Sequence, residues 1–294
     1  MVDFLQTVIG GALTGLVYGL VAFSFTFIYR ASRILNLAQG EVVIVGAFLI
    51  WTFAGPLALP LWLSVVLALI AAAAIGFVIE RAVFRPLIGQ SAFAVVMASI
   101  ALLILLRGTT QAVWGAENRP FPELLPLGAI EVGPFLFNKT LLIGAIATLV
   151  IVELVHWFFM KTREGLRLAA VAEDHYIAAS LGVSVRRATA IAVAIGFALA
   201  ATAAAVFLSG RMLSLSAAEI GFRALPVALL GGLESVRGAP VAGILIGVGE
   251  ALASYYVDPL TNGAASPLFP YVIMIAVLLI RPQGLFGWKI IERI

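Results

Sequence analysis

Long apolar runs separated by short polar stretches make up almost the whole chain. The runs are rich in Leu, Ile, Val, Ala and Phe and lack the alternating polarity of a membrane β-strand, so they predict α-helical spans, each needing about 20 residues. The predicted segments are 7–29, 42–53, 61–79, 91–106, 140–160, 188–208, 239–256 and 268–280. The pattern therefore predicts an all-α, polytopic membrane protein that forms one domain over residues 1–294.

A further apolar stretch, 221–233, is too short to span as a regular helix. Glycines at 231, 232 and 238 and Pro240 surround it and predict a broken or re-entrant helix, which membranes tolerate where protein or a cavity satisfies the freed backbone groups. The total is then eight or nine segments. The proline-containing stretch 107–139 is predicted to be an irregular loop.

Composition agrees with this class and excludes several others. The chain is 63% hydrophobic and 11% charged, which is too apolar for a soluble domain of 294 residues. It has no cysteine and two histidines, which excludes disulfides and thiolate chemistry and leaves little for a metal centre. No phosphate loop G-x-x-x-x-G-K-[ST] and no catalytic constellation occur. We expect a protein that is not an enzyme, holds no cofactor and binds no nucleic acid.

The distribution of the 18 basic residues predicts an orientation. If the first loop is cytoplasmic and the sides alternate, the inner connections hold Arg30, Arg33, Arg81, Arg85, Lys161, Arg163, Arg167, Arg186, Arg187, Arg237, Arg281, Lys289 and Arg293. The positive-inside rule then predicts an external N-terminus, retained as a first span, and a cytoplasmic C-terminus, which requires an odd number of crossings.

The longest polar interruption, residues 164–187, predicts a helix at the cytoplasmic surface. Side chains recur at three- and four-residue spacing along one face of it, at Leu166, Ala169, Ala170, Glu173, Ile177 and Leu181. Gly182 then ends the helix as a C-cap. Such a helix is either an interfacial connector or a segment that fits a groove on a soluble partner.

A few polar residues stand at the edges of the apolar segments or inside them. Asn36, Gln39 and Glu41 form either an interfacial turn or part of a polar path through the membrane. Gly11, Gly15 and Gly19 lie on one face of the first segment, which predicts close packing against another helix. Glu250 follows Gly243 and Gly247 on one helical face, so a carboxylate lies on a closely packed face and is either path-lining or structural. Glu153 and His156 form a proton relay or an interfacial pair.

Four motifs carry a resemblance to a known family. Ala172-Glu-Asp174, followed by Ala178-Ala-Ser-Leu-Gly182-Val, resembles the EAA-type coupling motif of ABC importer permeases. The stretches 36–41 (NLAQGE), 229–240 (LLGGLESVRGAP) and 281–287 (RPQGLFG) are similar to permeases of the high-affinity branched-chain amino acid transport family. The resemblance covers almost the whole chain and departs from the commonest pattern at Gln39, where many relatives carry a histidine.

The resemblance implies a lipid-embedded subunit of the bacterial inner membrane. It would pair with a second, homologous permease, two cytoplasmic ATPases that bind the ATP, and an extracytoplasmic substrate-binding protein. Glu173, Asp174, Ala178 and Gly182, in a loop of about 161–187, would couple to the ATPases.

The substrate and the energy source stay open at this point. The expected substrates are branched-chain or related amino acids, with urea or short amides as the alternative inside the family. A different class, a proton-coupled secondary transporter, would use Glu41, Glu153 or Glu250 to carry protons, and an intramembrane enzyme lacks catalytic residues on its spans.

Overall fold

The computed structural model describes residues 2–287, and most of them are helical. The α-helices are α1 (Val2–Ser32), α2 (Gln39–Ala54), α3 (Leu61–Ile79), α4 (Ala92–Trp114), α5 (Lys139–Lys161), α6 (Arg163–Glu173), α7 (His175–Ser180), α8 (Val185–Phe207), α9 (Ile220–Gly231), α10 (Gly238–Tyr256), α11 (Asp258–Thr261) and α12 (Ala265–Ile280). A π-helical turn (Glu80–Phe84) and a 3₁₀ turn (Arg85–Leu87) extend α3, and a second 3₁₀ turn (Leu215–Glu219) precedes α9. Lys289 and Arg293 of the orientation count lie outside the described residues.

The helices confirm a multi-pass helical membrane protein. Within residues 2–287, six helical segments are long and apolar enough to cross a membrane: Val2–Ser32, Leu61–Leu87, Ala92–Trp114, Lys139–Lys161, Val185–Phe207 and Gly238–Tyr256. Two shorter apolar helices, α2 and α12, have 16 residues each, or about 24 Å of helix. Both lie where apolar segments were predicted.

Two helices form the centre of the bundle. In α1 and α8, 67% and 61% of the most apolar window is buried inside the protein, against 17% in α4 and 22% in α5. The peripheral helices present large apolar side chains such as Ile104, Leu154 and Trp157, which suits contact with lipid. The core therefore lies along α1 and α8, and α2 packs against α8 and α3.

Contacts between residues far apart in the chain show which turns lie at the same end of the bundle. At one end, which we call the basic end, Arg33 Nε donates to the carbonyl of Ala172 at 2.8 Å, and Leu285 N donates to the carbonyl of Leu230 at 2.8 Å. At the other, the hairpin end, strands β1 (Arg119–Pro120) and β4 (Met212–Leu213) pair, and β2 (Ala129–Val132) pairs with β3 (Phe135–Asn138). These contacts place the turns after α1, α6, α9 and α12 at one end and those after α4 and α8 at the other.

The prediction that 107–139 is an irregular loop is partly wrong. Helix α4 continues eight residues past Leu106, because Arg107 forms an ion pair with Glu41 at 2.9 Å instead of ending the apolar segment. Trp114 then stacks on Phe48 at 5.3 Å between ring centroids. The rest of the stretch contains β1 and the β2–β3 hairpin, whose turn passes through Gly133 at φ +60°.

The most extensive helix contact in the described chain joins α1 and α10. Gly11, Gly15 and Gly19 of α1 face Gly247, Gly243 and Ala239 of the antiparallel α10. A Cβ on Gly11 would lie 2.6 Å from the Gly247 carbonyl oxygen, so the backbones approach as closely as glycine allows. The two glycine faces predicted from the sequence therefore pack on each other.

Replacing Gly15 by Ala should separate α1 from α10, because its Cβ would lie 2.7 Å from the Gly243 carbonyl carbon, against backbone that has no room to move. We expect a loss of roughly 1–3 kcal/mol in unfolding free energy. Thermal unfolding of the detergent-purified protein measures it. Gly10→Ala is the control on the same helix, since a Cβ there meets nothing within 4 Å. Equal melting temperatures for the two variants would contradict the close contact.

Candidate functional site

The cytoplasmic helix predicted over 166–181 is two helices, which corrects the sequence prediction. The chain breaks at Asp174, whose φ of −154° and ψ of 117° end α6 and precede α7. The Asp174 carboxylate accepts hydrogen bonds from the backbone N–H groups of Tyr176 at 2.7 Å and Ile177 at 2.9 Å. An aspartate in this position is an N-cap, and capping a new helix competes with continuing the old one.

Gly182 ends α7 as the sequence predicted. Its φ of +80° is left-handed, and the N–H of Val183 donates to the carbonyl of Ala178 at 3.0 Å. This six-to-one bond beside a left-handed glycine is a Schellman C-cap. A residue with a side chain at 182 would be strained, so the turn requires glycine.

The two helices have a buried side and an exposed side. Leu168, Val171 and Ala178 are 0–1% exposed and pack against the bundle. Tyr176, Ile177 and Leu181 project outward with 87%, 60% and 76% of their surface exposed, and we call these three the coupling surface. The predicted single apolar face is therefore divided, because Leu166 and Leu181 are exposed while Ala178 is buried.

Two arginines at the end of α1 connect this region to the turn between α9 and α10. Arg33 bonds the Ala172 carbonyl of α6 through Nε and forms an ion pair with Glu234 through Nη1. Arg30 Nη1 donates to the Glu234 carbonyl at 2.9 Å, and the guanidinium carbon of Arg30 lies 5.0 Å from the Phe159 ring centroid. Burial opposes the charge of Arg33, yet the hydrogen bond and charge of Glu234 outweigh it, so the pKa of Arg33 lies above its usual value.

Asn36 and Gln39 lie inside the bundle, 2% and 0% exposed, which favours the polar path over the interfacial turn. Asn36 Nδ2 donates to Gln39 Oε1 at 2.9 Å, and Gln39 Nε2 donates to the Gly196 carbonyl, halfway along α8, at 3.1 Å. Asn36 Oδ1 also accepts from the N–H of Ala38 at 3.1 Å. The pair thus bonds the Ala38 N–H of the irregular connection between α1 and α2 and ties this connection to α8. Whether either side chain lines the path stays a prediction.

Glu41 is 2% exposed and pairs with Arg107 of α4. Its Oε1 makes the ion pair, while Oε2 is buried without a hydrogen-bond partner in the part of the chain described here. The count that assigned Arg107 to an external loop did not foresee this pair, because the two residues are 66 positions apart. A role for Glu41 in the path stays a prediction.

Glu250 faces a cavity and has a partner that the sequence did not indicate. Arg223 Nη1 donates to Glu250 Oε1 at 2.9 Å and lies 3.5 Å from the Tyr18 hydroxyl. All three side chains line a cavity of about 460 Å³ near the hairpin end. The sequence feature that could have indicated this partner is Arg223 itself, a lone charge in the short apolar stretch 221–233.

Glu153, which the sequence paired with His156, has an arginine as its partner. Glu153 of α5 makes a bidentate ion pair with Arg237, with both oxygen–nitrogen distances at 2.8 Å and both side chains more than half exposed. This partner favours the interfacial-pair alternative over a proton relay for Glu153, because a carboxylate held by a guanidinium is a poor proton carrier.

A second interior ion pair lies at the basic end. Glu80, fully buried at the start of the π-helical turn, accepts from Arg85 Nη2 at 3.0 Å and from the Thr189 hydroxyl at 3.1 Å. Thr189, Phe84 and Tyr176 border a cavity of about 560 Å³. The network joins the end of α3 to the start of α8 next to the coupling surface. The sequence showed Glu80 at the end of a span and gave no sign of its burial.

Comparison with known proteins identifies relatives over the full chain. Residues 7–278 match the family model described as branched-chain amino acid transport system / permease component. The high-affinity branched-chain amino acid transport system permease protein BraD of Pseudomonas aeruginosa is 30% identical over 99% of this chain and 98% of its own. LivH proteins with the same description, from Salmonella typhimurium and Escherichia coli, are each 28% identical over 99% of this chain and 98% of theirs.

Removing the buried Glu80 carboxylate should destabilise the protein. Glu80→Ala leaves Arg85 without its carboxylate partner, and we expect a loss of about 3 kcal/mol, the lower end for a broken buried pair, because the Arg85 side chain is still 26% exposed. The control is Glu153→Ala, which breaks an exposed pair and should leave the melting temperature near that of the unaltered protein. Thermal unfolding in detergent compares them. A Glu153→Ala protein that melts below the Glu80→Ala protein would refute the assignment.

Proposed function

The chain belongs to the family of branched-chain amino acid transport system permease components, and we propose that it is the membrane permease subunit of an ATP-driven importer for branched-chain or related amino acids. The observation that carries the proposal is the match over residues 7–278, together with curated relatives that align with nearly their whole length. The chain itself contributes binding surfaces and a path, while ATP is bound by partner subunits.

The proposed assembly has four kinds of partner besides membrane lipid. Two cytoplasmic ABC ATPases supply the energy, a second homologous permease completes the path, and an extracytoplasmic binding protein delivers the substrate. The protein resides in the bacterial inner membrane. Nucleic acid has no part in the assembly.

The ATPase docks on the coupling surface. Three large apolar or aromatic side chains, Tyr176, Ile177 and Leu181, stand exposed on a short polar segment outside the apolar spans, and such a patch favours a protein partner. Asp174 and Gly182 set the ends of α7, Ala178 anchors it to the bundle, and Glu173 lies exposed beside it. These four residues keep the coupling role that the motif implies.

Force applied at the coupling surface has a route into the bundle. Arg33 connects α6 to Glu234, and the turn 232–237 that carries Glu234 joins α9 to α10. ATP binding in the partners moves the coupling surface, and this connection transmits the movement to the helices that carry Arg223 and Glu250. The permease pair thereby alternates between outward and inward access.

In the proposed orientation the basic end is cytoplasmic and the hairpin end, with the N-terminus, is extracytoplasmic. The clustering of Arg30, Arg33, Arg85 and Arg237 toward one end supports it by the positive-inside rule. The 3₁₀ turn Leu215–Glu219 and α9 together make one broken crossing, which gives nine crossings and the odd count that this orientation requires.

The path through this subunit contains the polar groups of the interior. Asn36, Gln39 and Glu41 lie about halfway through the bundle, and Glu250 lies nearer its outer end, so a substrate passing inward meets Glu250 first. In this order the interior amides and Glu41 act after the substrate has left the outer cavity.

Uptake in proteoliposomes tests the proposed function and separates it from the proton-coupled alternative. The assembled importer with its binding protein should accumulate leucine only when ATP is present inside, and a proton gradient should add nothing. Accumulation driven by a proton gradient without the ATPases would overturn the proposal. Uptake of urea or acetamide in place of leucine would move the substrate to the alternative class within the family.

Replacing Leu181 by Asp should uncouple ATP hydrolysis from transport. A carboxylate at the centre of an apolar contact removes its main anchor, so uptake per ATP hydrolysed should fall at least about tenfold, while the amount of protein in the membrane stays the same. Leu260→Asp is the matched control, because Leu260 is equally exposed, at 83%, but lies at the opposite end. Normal coupling in Leu181→Asp, or equal loss in both variants, would argue against docking at this surface.

A further inference from the structure

Two adjoining cavities open near the hairpin end of the bundle. The first, of about 460 Å³, lies between α1, α9, α10 and α12, and the hydroxyls of Thr7, Thr14, Ser254 and Ser266 line it. The second, of about 310 Å³, is lined about equally by polar and apolar surface: Phe207, Leu208, Met212 and Ile220 form its apolar wall, and Arg211, Ser216 and Glu219 lie on the polar part. Both volumes fall in the range of small-molecule sites. Tyr18 and Arg223 border both cavities, so the two spaces meet at these side chains.

An ion pair stands at the junction of the cavities. Arg223 is 41% exposed at its side chain and Glu250 13%, and the 2.9 Å contact between Nη1 and Oε1 joins them. Both hydrogen bonds that Arg223 makes within residues 2–287 leave from Nη1. A guanidinium has five N–H donors, so its Nε and Nη2 groups are available to the cavities.

The position of this pair within apolar helices favours a functional role. Helices α9 and α10 are otherwise uncharged between Ile220 and Tyr256 except in the turn that joins them. Charges inside membrane segments are costly and mark substrate pathways more often than structure. The Glu80–Arg85 pair differs from this one, because the Glu80 carboxylate is fully buried and both of its oxygens accept hydrogen bonds.

We propose that Arg223 and Glu250 bind the zwitterionic head group of an amino acid as it enters the membrane from the binding protein. The Arg223 guanidinium takes the carboxylate in a two-point contact, the Glu250 carboxylate takes the ammonium group, and the hydroxyls of the first cavity surround them. The substrate exchanges one ion pair for two, so neither charge is left unpaired inside the bundle.

The second cavity receives the substrate's side chain. Its apolar wall begins at Tyr18 and Ile220, next to the guanidinium that holds the carboxylate, which suits a branched aliphatic group attached to the same carbon. Neutral amides and urea lack the charges that would replace the Arg223–Glu250 contact, so the site discriminates against them. This inference rests on the proposed function and adds to it the residues that recognise the substrate.

Transport by variants of the pair tests the assignment in the assembled importer, with radiolabelled leucine and ATP inside proteoliposomes. Arg223→Gln and Glu250→Gln should each lower leucine uptake by at least about tenfold, since each loses a charge-assisted contact to the substrate. The matched control is Glu153→Gln, which removes one charge of an exposed ion pair outside the cavities and should change uptake less than about twofold.

The exchanged pair Arg223→Glu with Glu250→Arg separates recognition from structure. It restores an ion pair, so the protein should again accumulate in the membrane, but it reverses the positions of the two charges and should not restore uptake. Recovery of uptake in the exchanged pair, or near-normal uptake in both single variants, would show a structural ion pair only and overturn the inference. Absence of ATP-driven uptake by the unaltered importer is a different result, which rejects the proposed function.

A measurement without changes to the pair covers the case in which its variants fail to fold. Because the chain has no cysteine, Ser254→Cys places a single thiol of this subunit in the first cavity. Leucine at about twice its dissociation constant should slow alkylation of that thiol about threefold. Mass spectrometry of this chain measures the alkylated fraction over time. Leucinamide, which lacks the carboxylate, and 4-methylpentanoate, which lacks the ammonium group, should not protect it at the same concentration. Equal protection by all three compounds, or none by leucine, would contradict zwitterion binding.

Discussion

The approach of α1 and α10 through their glycines is the contact on which the arrangement of this protein depends. Backbone meets backbone at Gly11, Gly15 and Gly19, so the two helices are held at a separation that a single methyl group would increase. In a bilayer, where lipid is as apolar as leucine, close packing of small residues is a main source of helix association. Tyr18 of α1 and Glu250 of α10 line one cavity beside this contact. The packing of the two helices therefore also positions the residues of the proposed recognition site.

The interior charges have a common physical logic. Glu41, Glu80 and Glu250 each lie within the apolar part of the bundle, and each is met by an arginine from another turn or helix at 2.9–3.0 Å. Pairing is what makes a carboxylate tolerable at this depth. The pairs differ in access: Glu80 is closed off and joins α3 to α8, whereas Arg223 and Glu250 face open space. That difference separates a structural role from the proposed recognition role.

The basic end connects the surface that we assign to the ATPase with the helices that we assign to the substrate. Arg33 bonds α6 and pairs with Glu234, and Arg30 bonds the same turn, so α1, α6 and the α9–α10 connection meet within one network. Both arginines extend from α1, whose other half forms the glycine contact. In the proposed mechanism, a displacement of α6 reaches α10 by two routes, through the turn and through α1.

The sequence by itself determined the class of protein, the apolar segments, the C-cap at Gly182 and the two glycine faces, because these depend on local composition and helical period. It missed the break at Asp174, because a capping carboxylate and a mid-helix carboxylate look alike until its hydrogen bonds are known. It left Asn36 and Gln39 open between an interfacial turn and a polar path and put Arg107 in a loop, since polar side chains mark a boundary unless a distant residue bonds them. Gly196, Glu41 and Arg223 are such distant partners for Gln39, Arg107 and Glu250. Only tertiary structure brought them together, because contacts between residues far apart in the chain leave no periodic trace in it.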